Sequence, residues 1–205
     1  MEYSVVIVAS GLGTRLNLGY NKVFYKLDNE MIIEKTINKF KQDLECKQII
    51  VVTNSEDFHR LENYQVELVN GGKLRQDSVY NGLKLVKYDY VMIHDGARPY
   101  VSQNILDRVK KALELHNAVV TTVASVDTIK LLKDDKVITL DRNTLRNAQT
   151  PQAFKTEILL EAYAKASNKV YTDDTSIVEE VLKLDIYNVE GEYENIKITT
   201  INDIK

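Results

Sequence analysis

A chain of 205 residues, 44% hydrophobic and 28% charged, has the length for one large domain or two small ones and can bury a substantial core. Its formal charge of -3 excludes a global basic field that would hold nucleic acid non-specifically, so any anion site must concentrate positive charge locally. The single cysteine, Cys46, excludes an intrachain disulfide and a cysteine metal cluster, and no apolar run approaches membrane-spanning length. The expectation is a cytoplasmic enzyme or binding protein with no membrane partner.

The first strand, Val5–Val8, runs directly into Gly11-Leu-Gly-Thr-Arg15, with Lys22 seven residues further on. A β-branched run that ends in a glycine turn brings backbone N–H groups to a phosphate. This is neither the dinucleotide fingerprint, whose third glycine position here holds Leu16, nor a Walker A loop, whose Gly-Lys-Ser/Thr ending is absent. Arg15 has little packing purpose inside such a turn, whereas its planar fork suits phosphate oxygens. Together with Lys22 it points to an enzyme that works on a nucleoside triphosphate.

Helical spacing follows at Ile32, Ile33, Ile37 and Phe40, then strands at Gln48–Thr53 and Val66–Val69. Gly71-Gly-Lys-Leu-Arg-Gln-Asp-Ser78 leads into a helix marked by Val79, Leu83 and Val86. Arg75 and Ser78 could bind a ligand there, and Asp77 and Ser78 could equally cap the helix. A strand at Tyr90–His94 ends in His94-Asp-Gly-Ala-Arg-Pro99, which places Asp95 where a carboxylate would hold Mg²⁺ beside a triphosphate or simply begin a loop. His94 is expected to carry no metal or catalytic role. A helix with Ile105, Val109 and Leu113 and a strand at Val119–Val123 come next.

Residues 126–142 break the alternation. Two β-rich runs flank Lys133-Asp-Asp-Lys136, which reads as a hairpin. A lone hairpin is marginal in water, so it is expected to pack against a second subunit. Tyr171-Thr-Asp-Asp-Thr175 precedes a helix over Thr175–Leu184, with Asp173 or Asp174 as its cap, and Ile196–Thr199 is strand-like. Strands alternating with helices imply a mostly parallel sheet covered on both faces, with ligands beyond the strands' carboxyl ends.

Taken in order, Ala9–Arg15, Asn21-Lys22, Gly71-Gly72 with Arg75 and Ser78, His94–Pro99, Asp127–Lys130, Asp141–Asn143, Ala148–Gln152 with Phe154, Thr172–Asp174 and Asn195–Thr199 form one pattern. It resembles the 2-C-methyl-D-erythritol 4-phosphate cytidylyltransferases of non-mevalonate isoprenoid synthesis over nearly the whole chain. The resemblance implies an α/β, Rossmann-like single nucleotidyltransferase domain over residues 1–205. It also implies a β-hairpin arm at about residues 126–147, exchanged between the subunits of a homodimer. It implies CTP bound around Ala9, Ser10, Gly11, Gly13, Gly72, Ser78 and Gly96, with Arg15, Lys22 and Lys197 as catalytic cations. The polyol phosphate would meet Arg98, Thr128, Thr150 and Thr172, and Arg142 from the partner's arm. Asp95 would face substrate hydroxyls or Mg²⁺, or another divalent cation, as cofactor.

Ser10, Asn21 and Gly96 depart from the family's usual alanine, proline and alanine, and Lys73 stands where some relatives are acidic. The sister ribitol-5-phosphate cytidylyltransferases are the nearest alternative, although Thr128-Ile-Lys130 and Thr172–Ser176 look more like the methylerythritol group. A CTP-binding regulatory module without catalysis is the alternative from another class.

Overall fold

The computed structural model describes residues 1–11, 20–167 and 169–204. The amino-terminal apolar run forms β1 (Tyr3–Val8). A two-stranded ribbon of β2 (Lys26–Leu27) and β3 (Glu30–Met31) then leads into α1 (Ile32–Gln42). The chain continues through β4 (Cys46–Thr53), β5 (Glu67–Asn70), α2 (Arg75–Leu83), β6 (Tyr90–Asp95), α3 (Gln103–Leu113) and β7 (Ala118–Ala124). After the hairpin strands β8 (Lys130–Lys133) and β9 (Lys136–Thr139) come β10 (Arg146–Lys155), α4 (Thr156–Lys165), α5 (Asp174–Leu182) and β11 (Tyr187–Glu190).

Seven strands form one sheet in the order β11-β7-β10-β6-β1-β4-β5. β1 pairs in parallel with both β4 and β6, and β10 alone opposes its neighbours β6 and β7. The period-2 alternation of a strand buried on both faces explains the layers. Val5 and Ile7 of β1 pack with Ile33, Ile37 and Phe40 of α1 and Ile105 and Val109 of α3. Val6, between them, points the other way, onto the layer that holds Val79 and Leu83 of α2, Leu159 of α4 and Ile177 of α5.

From β1 the chain adds strands outward through β4 and β5, then returns to place β6 on the other side of β1. A crevice opens at such a reversal, beyond the carboxyl ends of β1 and β6. The opposed strand matters here. Gln152 pairs with Ile93, so β10 carries the preceding residues, Gln149 and Thr150, past the end of β6 where Asp95 lies. A register shift between Ala148 and Gln152 releases that stretch from the ladder with β7.

The hairpin forms as expected. Asp134 and Asp135 take φ of 48° and 59°, the left-handed pair that a two-residue turn of this hand requires. Its strands bond only to each other among the described residues. Leu131 and Leu132 are 46% and 69% exposed, and their cross-strand partners Ile138 and Val137 are 47% and 62% exposed. Adjacent residues on a strand face opposite ways, so both faces of the ribbon are apolar and uncovered within one chain.

Three expectations change. Ile196–Thr199 is not a strand; it is an extended segment, with Ile198 N–H donating to the Ala97 carbonyl at 2.9 Å. β10 and α4 were not anticipated. The arm is shorter than residues 126–147, because Arg146 and Asn147 already pair with Ala124 and Val123 of β7.

Candidate active site

A cavity of about 630 Å³ occupies the crevice, lined in part by Ala9, Ser10, Gly11, Lys22, Gly72 and Ser78. A second cavity of about 240 Å³ holds Arg98, Gln149, Thr150 and Thr172 in its lining. Arg75, Asp95 and Lys197 line both and form the wall between them.

The floor of the larger cavity is a brace between two loops. Ser10 Oγ and Ser78 Oγ lie 2.9 Å apart, and Ser78 Oγ accepts from Gly72 N–H at 3.0 Å and donates to the Leu74 carbonyl at 3.1 Å. Asp77 reaches back to accept from Leu74 N–H at 3.0 Å, which satisfies an otherwise free amide at the start of α2. A Cβ on Gly71 would sit 2.4 Å from Ser10 Cβ, and one on Gly72 2.2 Å from Asp77 Cβ, so this approach requires both glycines. Ser78 does not cap α2, which begins at Arg75; its hydroxyl is engaged inside the loop while the residue lines the cavity.

Asn21 is the tie that sequence reading missed. It is buried, its Nδ2 donates to the Ala9 carbonyl, and its Oδ1 accepts from Val23 N–H at 3.3 Å. The end of β1 is thereby fastened to the short 3-10 turn Lys22–Phe24, and Lys22 reaches the cavity from that turn. Arg15 and Gly13 lie outside the described residues. Gly96 is not in the lining: it is buried behind Ala9, where an added Cβ would meet Ile33 Cδ1 at 3.0 Å and Ala9 Cβ at 3.1 Å. Ala97 lines the cavity in its place.

The shared wall is dominated by positive charge. Asp95 lies 2.9 Å from Lys197 Nζ, 3.3 Å from Arg98 Nε and 3.6 Å from Arg75 Nε. Burial alone would push the Asp95 carboxyl upward, but Lys197, Arg75 and Arg98 outweigh it and hold the group well below the usual carboxylate range. Lys197 is presented by the extended segment that sequence reading took for a strand. Fully buried Asn195 anchors that segment, donating to the Thr150 carbonyl at 2.9 Å and accepting at its own carbonyl from Arg98 Nη1 at 2.8 Å.

A directed chain of hydrogen bonds runs beneath Asp95. Asp95 N–H donates to Thr150 Oγ1 at 3.0 Å, Thr150 Oγ1 lies 3.1 Å from His94 Nδ1, and His94 Nε2 lies 3.1 Å from the Arg98 carbonyl. A carbonyl only accepts, so Nε2 carries the proton and Nδ1 accepts from the threonine. Burial pushes His94 down to about 4 from its ordinary 6.5. At pH above 6.5 the ring is neutral in both folded and unfolded chains. As pH falls from 6.5 towards 4, the unfolded chain takes up a proton that the folded chain refuses, so stability falls by up to about 3 kcal/mol. Urea unfolding of the wild type and His94→Gln across this range checks the expectation; an unchanged pH slope in the variant contradicts it.

Thr128 and Arg142 are not brought to either cavity of their own chain. Both are exposed, and Arg142 Nη1 donates to the Val126 carbonyl at 2.9 Å at the base of the hairpin. The residues do not fit a resident metal. Asp95 is the one carboxylate among the described residues lining the larger cavity, three cations already surround it, and no metal-binding group of three or more His, Cys, Asp or Glu occurs among those residues.

A cradle of glycine and serine at the reversal of a mostly parallel sheet, opening on a wall of lysine and arginine, suits an anionic, phosphate-bearing ligand. The family model described as 2-C-methyl-D-erythritol 4-phosphate cytidylyltransferase matches residues 3–205, and the chain belongs to that family. Among relatives, the protein of that name from Bacillus pumilus is 43% identical over 216 residues, covering 100% of this chain and 94% of its own. The Clostridioides difficile protein is 42% identical, with 98% and 90% covered. Among solved structures, 4-diphosphocytidyl-2C-methyl-D-erythritol synthase from Anaerococcus prevotii superposes with a TM-score of 0.86 at 33% identity, covering 98% of this chain and 94% of that one. The Thermus thermophilus cytidylyltransferase gives 0.83 at 29% identity, covering 100% and 96%.

Proposed function

We propose that this chain transfers CMP from CTP to 2-C-methyl-D-erythritol 4-phosphate and releases pyrophosphate, as a step of non-mevalonate isoprenoid precursor synthesis in the cytoplasm. The observation that carries the reading is the wall of Arg75, Lys197 and Asp95 between a cavity of nucleotide size and a smaller one lined mostly by residues with polar or charged side chains. A phosphate monoester has a second pKa of about 6, so at neutral pH the acceptor is already an anionic nucleophile and needs no general base. Its oxygen bonds to the α-phosphorus of CTP as the bond to the β-phosphate oxygen breaks, and the electron pair leaves with pyrophosphate. The obstacle is repulsion between two anions. Lys22 and Lys197, together with Arg15, neutralise that charge and hold the line of attack. A divalent cation, Mg²⁺ or another, would come with CTP as counter-ion of the triphosphate and would supply charge neutralisation there.

The acceptor lies in the smaller cavity against Arg98, Thr150 and Thr172, with Thr128 and Arg142 supplied by the arm of a second copy. A homodimer also covers the two apolar faces of the hairpin. The decisive test offers CTP with 2-C-methyl-D-erythritol 4-phosphate or ribitol 5-phosphate and measures pyrophosphate release. Turnover with the first alone is expected. Turnover with ribitol 5-phosphate alone reassigns the acceptor, and CTP binding without release on either identifies a non-catalytic module.

A further inference from the structure

Two carboxylates meet the Arg75 guanidinium, and of the two only Asp95 lines either of these cavities. The other, Asp174, opens α5, is fully buried and lies 2.8 Å from Arg75 Nη2. Capping does not explain it. Asp173 Oδ1 accepts from Ser176 N–H at 2.9 Å, and Gln152 Oε1 accepts from the N–H groups of Asp174 and Thr175 at 3.0 and 3.2 Å. The first turn of α5 is therefore satisfied without the Asp174 side chain. Its Oδ1 accepts from the Tyr163 hydroxyl at 2.7 Å, whereas Oδ2 has no well-formed hydrogen bond among the described residues and faces the guanidinium. Burying the Asp174 carboxylate is a costly way to hold a core together, because it loses its water and gains a partner that is itself partly exposed. What the pair achieves is direction: Arg75 is fixed in the wall between the two cavities. Gln76 adds a second tie from the same turn of α2, donating to the Lys169 carbonyl at 3.0 Å and accepting from Tyr171 N–H at 2.9 Å.

We propose that Asp174 is a positioning residue for Arg75, and that the guanidinium it holds is a phosphate-binding group shared by the two cavities. The inference rests on the nucleotidyl-transfer reading above and adds the group that meets both anions at their junction. The test is a double-mutant cycle with Asp174→Asn, which keeps shape and removes charge, and Arg75→Gln. At saturating CTP, kcat/KM for the acceptor is expected to fall about 10- to 100-fold in either single variant, as for loss of one charge-assisted hydrogen bond. Asp174→Asn is expected to add less than about twofold in the Arg75→Gln background, because the two act as one unit. An unchanged kcat/KM in folded Asp174→Asn, or a full loss persisting without Arg75, overturns the proposal. If Asp174→Asn does not fold, Tyr163→Phe removes only the hydroxyl bonded to Oδ1. It is then expected to lower the same parameter about three- to tenfold, and only while Arg75 is present. Calorimetric titration with inorganic pyrophosphate separates this proposal from the assigned reaction. Weaker binding in both variants, with no transfer to any acceptor by the wild type, rejects the reaction and keeps the positioning role; normal binding and transfer in both variants rejects the role alone.

Discussion

Replacement of Lys197 by methionine is expected to lower turnover roughly 100- to 1000-fold, the usual cost of removing one preorganised charge from a developing anion. Methionine keeps an unbranched chain of similar length, so the change removes charge with little loss of packing. The backbone around the residue is fixed independently: Asn195 bonds to the Thr150 carbonyl, and Ile198 N–H bonds to the Ala97 carbonyl. A folding explanation is thereby disfavoured, and an unchanged melting temperature checks it. Lys197 Nζ lies 2.9 Å from Asp95, so on the proposed reading phosphate competes with this carboxylate for the lysine's charge. Loss of Lys197 leaves Asp95 with two arginines, and the effect is expected mainly in kcat. Single-turnover measurement of CMP transfer gives the outcome directly, and turnover within threefold of the wild type contradicts the role assigned to this lysine.

The elements that sequence reading found are those whose signals are local. β1, β4 and β6 are continuous apolar runs buried on both faces, and α1 and α3 carry strong helical spacing. β10 was missed because its central stretch, Ala148–Gln152, is polar and contains Pro151, which argues against an interior strand. Tertiary context overrides that signal: Gln152 is buried because its amide satisfies the start of α5. Lys197 was found through its motif, yet the segment carrying it was misread as a strand, since β-branched residues suit any extended backbone. Asn21, Asn195 and Asp174 tie the site through Ala9, Thr150 and Arg75, which lie far from them in the chain, and no spacing rule reveals such partners. Gly96 illustrates the reverse error. A glycine beside a site motif was assigned to the ligand, whereas it lies buried behind Ala9, where an added Cβ would be tightly packed.

Arg142→Ala is expected to be defective alone and to be rescued by mixing with Lys197→Met, because the two lesions then fall in one site of a mixed dimer. Within its own chain Arg142 lies at the base of the exposed hairpin and lines neither cavity, so any contribution to the polyol phosphate must come from another copy. In a two-fold dimer with exchanged arms, one site of each heterodimer receives the Lys197 lesion and the partner's Arg142 lesion. The other site keeps both native groups. Random pairing makes half of the dimers mixed, so about a quarter of all sites are restored, and co-expressed variants are expected to regain roughly that share of wild-type activity. Neither variant reaches this alone, since each homodimer carries its lesion at both sites. Recovery no greater than the sum of the separate variants contradicts donation in trans. The same arm explains why burial should drive the pairing. Leu131, Leu132, Val137 and Ile138 are exposed on both faces of a two-stranded ribbon, and such a ribbon is marginal in water unless a neighbour covers it. Leu132→Lys is therefore expected to shift the protein to monomer in light scattering and to lose activity together with the dimer, whereas a monomeric wild type at micromolar concentration contradicts the arrangement.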